Sequence, residues 1–238
     1  MSDKLMLHIM HELAATLGGN AVLGGGMALR LFKSSRATTD LDYIFVPYKS
    51  KKVATPEAEK VLLGMKGVTL TTKYTSKMAA ITVQRGSERV TVEIAVAESC
   101  ETALTSTAPL ALALGEGAHI ISVVAFDVAL ARKLAAWNER RLIRDLYDAY
   151  FMHRSLRAEP DIPTLQKRLD RIDARVPGVP KKMNLLQFSE VLREAADALT
   201  EPRVKKELRG LIAAKELPGL ALNIRSELLS ICDGLSRS

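Results

Sequence analysis

Two aspartates spaced for an extended strand, with a run of glycines just upstream, are the residues most able to do chemistry in this chain. Asp40 and Asp42 alternate in Asp40-Leu41-Asp42-Tyr43-Ile44-Phe45. Residues two apart in a strand share a face, so both carboxylates point to one side. Held together they repel unless something positive lies between them. A hard divalent cation, Mg²⁺ or Mn²⁺, suits that place because it takes oxygen ligands and keeps waters for phosphate oxygens. Upstream, Gly24-Gly25-Gly26 leads into Met27–Phe32, where Ala28, Leu29 and Phe32 suit one buried side of a short helix. Backbone N–H groups at such a turn, with the helix dipole behind them, favour an anion. A phosphate cradle beside an acidic metal seat is what nucleotidyl transfer needs, its two metals roughly 3.5–4 Å apart. Alone, three glycines are most often a turn, and Asp-x-Asp is most often a solvated strand face. Their order and close spacing make the combination far more specific.

A third carboxylate stands out in Val90-Thr91-Val92-Glu93-Ile94-Ala95-Val96. Val92, Ile94 and Val96 share one face, and Glu93 shares the other with Thr91 and Ala95. Glu93 is either a charge on a half-exposed strand or a third acid facing Asp40 and Asp42.

The stretches Gly25-Gly26-Met27-Ala28-Leu29 and Arg36-Ala37-Thr38-Thr39-Asp40-Leu41-Asp42 resemble the GGxAL…RxTxDLD signature of the AbiEii-like toxin nucleotidyltransferases. These belong to the DNA polymerase β-like nucleotidyltransferase superfamily and include the MenT toxins. About a hundred residues on, by the numbering, Arg144-Asp145-Leu146-Tyr147-Asp148 resembles a second motif of that family. Met27 departs from the pattern, since many relatives carry a hydroxyl there.

The resemblance implies the following roles. Asp40, Asp42 and Glu93 hold metal, with Glu93 also a candidate base. Gly25 and Gly26 cradle phosphates. Arg36 and Lys133 neutralise the leaving pyrophosphate, and Thr38 meets phosphate or a metal-bound water. Asp145 orients Lys133 or contacts nucleotide, and Asp148 contacts nucleotide. NTP would be the donor and the tRNA 3′ end the acceptor, with an antitoxin protein as partner. Read without the resemblance, Lys133 is a lysine that snorkels to water. Asp145 and Asp148 are then surface partners of Arg141 and Arg144, each pair worth a few tenths of a kcal/mol. A protein or small-molecule acceptor, or an inert RNA- or partner-binding relative, are the alternative functions.

The elements that must position these residues follow from hydrophobic spacing. Leu5, Ile9, Leu13 and Leu17 give a helix that Gly18-Gly19-Asn20 stops. Ala21-Val22-Leu23 is a buried strand. Pro47–Pro56 is a basic loop, and Pro56–Met65 a short helix closed by Gly67. Val68–Tyr74, Met78–Arg85 and Arg89–Val96 are strands, the last two joined at Gly86-Ser87. Leu104–Ala118 is a Pro- and Gly-punctuated connection, and Ile120–Val124 a short strand. From Phe126 the strand signals stop. Helices are expected at Phe126–Asn138, along Arg140–Asp148, and at Pro160–Arg171, Leu185–Leu199, Val204–Lys215 and Pro218–Cys232, with a Pro/Gly/Lys hinge at Arg175–Asn184.

The fold expected is α+β: a mixed sheet with flanking helices over residues 1–125, then a helical bundle over 126–238. The 238 residues are 47% hydrophobic and carry a net charge of +7, a balance that favours a polyanionic partner. No apolar run approaches the roughly 20 residues of a membrane span. The N-terminus does not read as a signal peptide, and two distant cysteines form no metal spacing. A reduced, cytoplasmic protein is expected.

Overall fold

A computed structural model describes residues 2–76 and 78–237. The chain divides into two compact units, Met1–Ala125 and Phe126–Ser238.

The first unit is built on a seven-stranded mixed sheet. Helix α1 (Asp3–Leu17) precedes it and buries Leu5, Ile9 and Leu13 as their spacing predicts, together with Met6, Leu7 and Met10. Gly18 ends that helix with φ 54°, a left-handed conformation that glycine adopts without a Cβ clash. The strands are β1 (Ala21–Gly24), β2 (Asp40–Phe45), β3 (Val68–Tyr74), β4 (Ala79–Arg85), β5 (Glu88–Val96), β6 (Thr102–Ser106) and β7 (Ile120–Val124). Their spatial order is β3-β4-β5-β2-β1-β7-β6, so β2 lies at the centre. It runs antiparallel to β1 and parallel to β5. Leu41, Tyr43, Val92 and Ile94 are buried, so the sheet core lies on the face opposite Asp40, Asp42 and Glu93. Short helix α2 (Gly25–Arg30) connects β1 toward β2.

Two segments differ from expectation. The stretch read as a loop up to Pro56 is mostly helix, α3 (Lys51–Leu63), with Pro56 inside it. The Ser50 side chain accepts from the Lys52 N–H and starts the helix early. The cost of Pro56, one missing N–H, is offset by burial of Ala54, Ala58 and Leu62. Lys51 is also no free loop lysine, since its Nζ donates to the backbone carbonyls of Thr75 and Ser76. The second difference is β6, which lies within and before the segment read as a connection. It pairs antiparallel with β7 from Thr102↔Val124 to Ser106↔Ile120. As an edge strand it buries little, so its sequence lacks the alternation that marks a strand.

The second unit is helical: α5 (Phe126–Arg140), α6 (Ile143–Leu156), α7 (Ile162–Leu169), α8 (Leu185–Asp197), α9 (Glu201–Leu208) and α10 (Leu220–Leu235), with α4 (Ala108–Ala111) falling in the first unit. Leu130, Leu134, Trp137, Leu146, Phe188, Leu192, Ile224 and Leu228 form its core. The helix expected at Val204–Lys215 begins earlier and ends sooner. Pro202 fits the first turn of α9, and Gly210 (φ 79°) follows its end. Among the described residues, no helix is long and apolar enough to cross a membrane.

In the first unit, His11 stacks on His119 with ring centroids 3.8 Å apart, and its Nε2 lies 2.8 Å from Thr107 Oγ1. Burial, and then the neighbouring His119, lower the His11 pKa to about 4. The folded state therefore resists protonating a group that the unfolded chain protonates near pH 6.5. This contribution to stability is complete above about pH 6.5 and is lost as pH falls toward 4. Unfolding midpoints measured from pH 7 to 4 should drop less steeply in His11→Gln than in the parent chain. Parallel profiles would remove His11 as the cause.

Candidate active site

The sheet register brings Asp42 and Glu93 side by side. Gly24 pairs with Asp42 across β1 and β2, and Asp42 pairs with Glu93 across β2 and β5. Paired residues on neighbouring strands point to the same face, about 4.8 Å apart between strands. Asp40 lies one step along that face, opposite Thr91. All three acids are partly exposed. Their oxygen donors are the type a hard divalent cation takes. Among the described residues, however, no three His, Cys, Asp or Glu side chains are grouped closely enough to hold a metal ion. The backbone thus puts the three acids on one face without gathering their side chains at one point.

The glycines do a second job that the sequence reading missed. A Cβ at Gly25 would sit 1.7 Å from Asp42 Oδ2, and φ there is +62°. A Cβ at Gly26 would sit 2.3 Å from Arg36 Nη2 and 3.3 Å from the Thr38 Cβ. The turn is bare because the Asp42 carboxylate and the Arg36 guanidinium occupy the space that side chains would fill. Arg36 is 7% exposed, so its charge is fixed against the glycine turn. β2 begins at Asp40, not at Thr38, and the Thr38 hydroxyl lies 3.4 Å from the Asp40 carbonyl. Strand alternation therefore does not place Thr38. The side chain of Met27 is fully buried, so this position faces the core in this chain.

The second unit gathers the other expected residues into a charged cluster. Lys133 Nζ lies 2.7 Å from Asp148 Oδ2 and 3.6 Å from Asp145 Oδ1. Arg140 grips Asp145 with two hydrogen bonds of 2.7 Å. Both carboxylates have no exposed surface, and Lys133 is 19% exposed. The surface pairs with Arg141 and Arg144 do not form. Arg141 lies over the Trp137 ring at 4.4 Å, and Arg144 is exposed. Asp148, with no exposed surface, sits against Lys133. Asp145 likewise braces Lys133 and Arg140. Sequence reading missed Arg140, because it meets Asp145 across the break between α5 and α6, where helical spacing gives no signal.

Removing one partner from a buried charge cluster leaves a desolvated charge, at a cost of about 3–5 kcal/mol. Lys133→Met should lower the unfolding free energy by about 3 kcal/mol, read by denaturant titration. The double variant Lys133→Met/Asp148→Leu should recover most of it. A single variant as stable as the parent would contradict the pairing.

The sequence matches the family model described as the nucleotidyl transferase AbiEii toxin of type IV toxin–antitoxin systems, over residues 9–225. No curated protein matches the sequence. Among solved structures, the chain is similar to the nucleotidyltransferase toxin MenT4 of Mycobacterium tuberculosis. That likeness has TM-score 0.57 and 18% identity, covering 99% of this chain and 85% of that one. It is also similar to JHP933 of Helicobacter pylori, with TM-score 0.56 and 16% identity, covering 99% and 92%. At such identities the likeness speaks for the fold: a mixed sheet with flanking helices followed by helices. The family match spans most of the chain, which therefore belongs to the AbiEii nucleotidyltransferase toxins of type IV toxin–antitoxin systems.

Proposed function

We propose that this chain transfers a nucleoside monophosphate from an NTP to the 3′ hydroxyl of tRNA, with Asp40, Asp42 and Glu93 as its acidic centre. The observation that carries this reading is the cross-strand pair Asp42–Glu93 beside the side-chain-free turn at Gly25 and Gly26. Like charges placed directly opposite on neighbouring strands are destabilising.

In the reaction, the acceptor oxygen attacks the α-phosphorus, the bond from that phosphorus to the bridging oxygen breaks, and pyrophosphate leaves. Asp40, Asp42 and Glu93 would hold Mg²⁺ or Mn²⁺, which when bound screens the triphosphate charge and polarises the reacting oxygens. Glu93 would also take the acceptor proton. Gly25 and Gly26 let the triphosphate approach the backbone. Arg36, fixed over Gly26, supplies positive charge for the departing pyrophosphate. Lys133, held in orientation by Asp145 and Asp148 within the second unit, is a further candidate for contact with the nucleotide's phosphates. Thr38 would contribute a hydroxyl to phosphate. An antitoxin protein would restrain the activity, as the toxin–antitoxin family implies.

With Met27 packed into the core, the missing hydroxyl at that position gives no support to an inert relative. The choice of acceptor is tested by incubating the protein with each α-labelled NTP and separate pools of tRNA, protein and metabolites. Label should enter tRNA; label entering only protein or metabolites would replace the acceptor.

Two variants test the centre. Asp42→Asn should abolish transfer. It should also raise unfolding stability without metal by up to about 1 kcal/mol, since it removes a cross-strand repulsion. Retained transfer together with lowered stability would sink the assignment. Gly25→Ala should reduce transfer at least a hundredfold, because its Cβ displaces the Asp42 carboxylate. Transfer at the parent rate would show that the tight fit does not matter.

A further inference from the structure

The corner where α5 turns into α6 joins three separate elements of the second unit. Glu207 of α9 accepts from the Ile143 N–H at 3.0 Å, fastening α9 to the first residue of α6. The Arg175 N–H donates to the Glu139 carbonyl at 2.7 Å, fastening the Pro/Gly/Lys segment to the end of α5. Arg168 grips the Glu139 carboxylate at 2.6 Å. The turn itself passes through Arg141, a non-glycine residue at φ 57°, whose guanidinium lies on Trp137.

The acids of this corner are used up in these fastenings. Glu139 is 8% exposed and Asp145 fully buried. Glu207 caps Ile143, with Arg203 Nε at 3.9 Å. Glu201 at the start of α9 turns away to accept from the N–H groups of Gly219 and Ala221. The cations are left facing outward. Arg144, Arg175, Lys205 and Lys206 are exposed. Among the described residues, Arg144, Lys205 and Lys206 have no carboxylate within 4.0 Å. A solvated helix ordinarily intersperses signs on its surface. Here Glu139 and Asp145 are enclosed while Arg144, Lys205 and Lys206 face solvent.

We infer that this corner, centred on Arg144, Lys205 and Lys206, is a docking surface for the phosphate backbone of RNA. Charge complementarity argues for a polyanion. Cations on separate elements suit a chain of regularly repeated charges, and contacts to phosphates carry affinity without reading sequence. The choice of RNA over other polyanions rests on the transfer reaction proposed above.

The test measures binding of labelled bulk tRNA to the full chain, without NTP, across a range of salt concentrations. The charge reversal Arg144→Glu/Lys205→Glu/Lys206→Glu should weaken binding more than tenfold. It should also make the slope of log affinity against log salt shallower by about 2 to 3, since each lost phosphate contact releases fewer counterions. Lys60→Glu/Lys66→Glu/Lys73→Glu, the same change of net charge on exposed lysines of the first unit, should bind within about threefold of the parent. Thermal unfolding of both variants checks that each is folded. If the corner variant is not folded, the single reversals Arg144→Glu and Lys206→Glu carry the same prediction at smaller size. Equal binding by the corner variant and the parent, or equal loss in both triple variants, overturns the inference. So does parent binding to poly-glutamate or to phosphatidylserine vesicles as tight as to tRNA. Asp42→Ala, measured alongside, should bind tRNA like the parent and transfer nothing. Should it transfer normally, the catalytic assignment falls while the docking result stands.

Discussion

Everything in the first unit turns on a repulsion. Asp42 and Glu93 occupy opposite positions on β2 and β5, two of the middle strands of the sheet. A strand pair can separate like charges by slipping its register, but slipping one strand by one residue would turn either Leu41 and Tyr43 or Val92 and Ile94 out of the core. Burial on one face thus locks two acids together on the other. The hydrophobic side sets the register, and the polar side inherits two neighbouring acids.

The second unit meets the same problem with the opposite solution. Asp145 and Asp148 are fully buried, and Lys133 and Arg140 neutralise them within the fold. Those two acids are satisfied at rest and serve to fix the cations beside them. The acids of the first unit stay partly exposed. The two sets of acids thus differ in burial, the second unit's fully enclosed and the first unit's partly open.

Much of this was legible in the chain. The alternation from Asp40 to Phe45 gave β2 with its observed bounds, and Gly86-Ser87 marked the hairpin between β4 and β5. Glu93 could be assigned to a face, but its neighbour could not be known, because a parallel pairing between β2 and β5 is a long-range choice that no local pattern encodes. The same holds for Arg140, whose partner is reached across a chain reversal. Edge strand β6 escaped notice because it buries too little to need alternation. The start of α3 escaped notice because Pro56 suggests a boundary that the Ser50 cap overrides. The glycines were read as a turn before the helix, whereas Gly24 ends β1 and Gly25 and Gly26 begin α2. Sequence suggests what might bind them, and only coordinates show which of the chain's own side chains already lean against them.

That crowding has a consequence for how such a chain changes over generations. A toxin that slips from restraint puts its host under strong selection for inactivating mutations. Gly25 and Gly26 offer a broad target, because any replacement introduces a Cβ that pushes aside the Asp42 carboxylate or the Arg36 guanidinium. Escape alleles should therefore gather at these two positions, and many should yield folded, inert protein rather than aggregates, since what must move is the end of a side chain and not the sheet backbone.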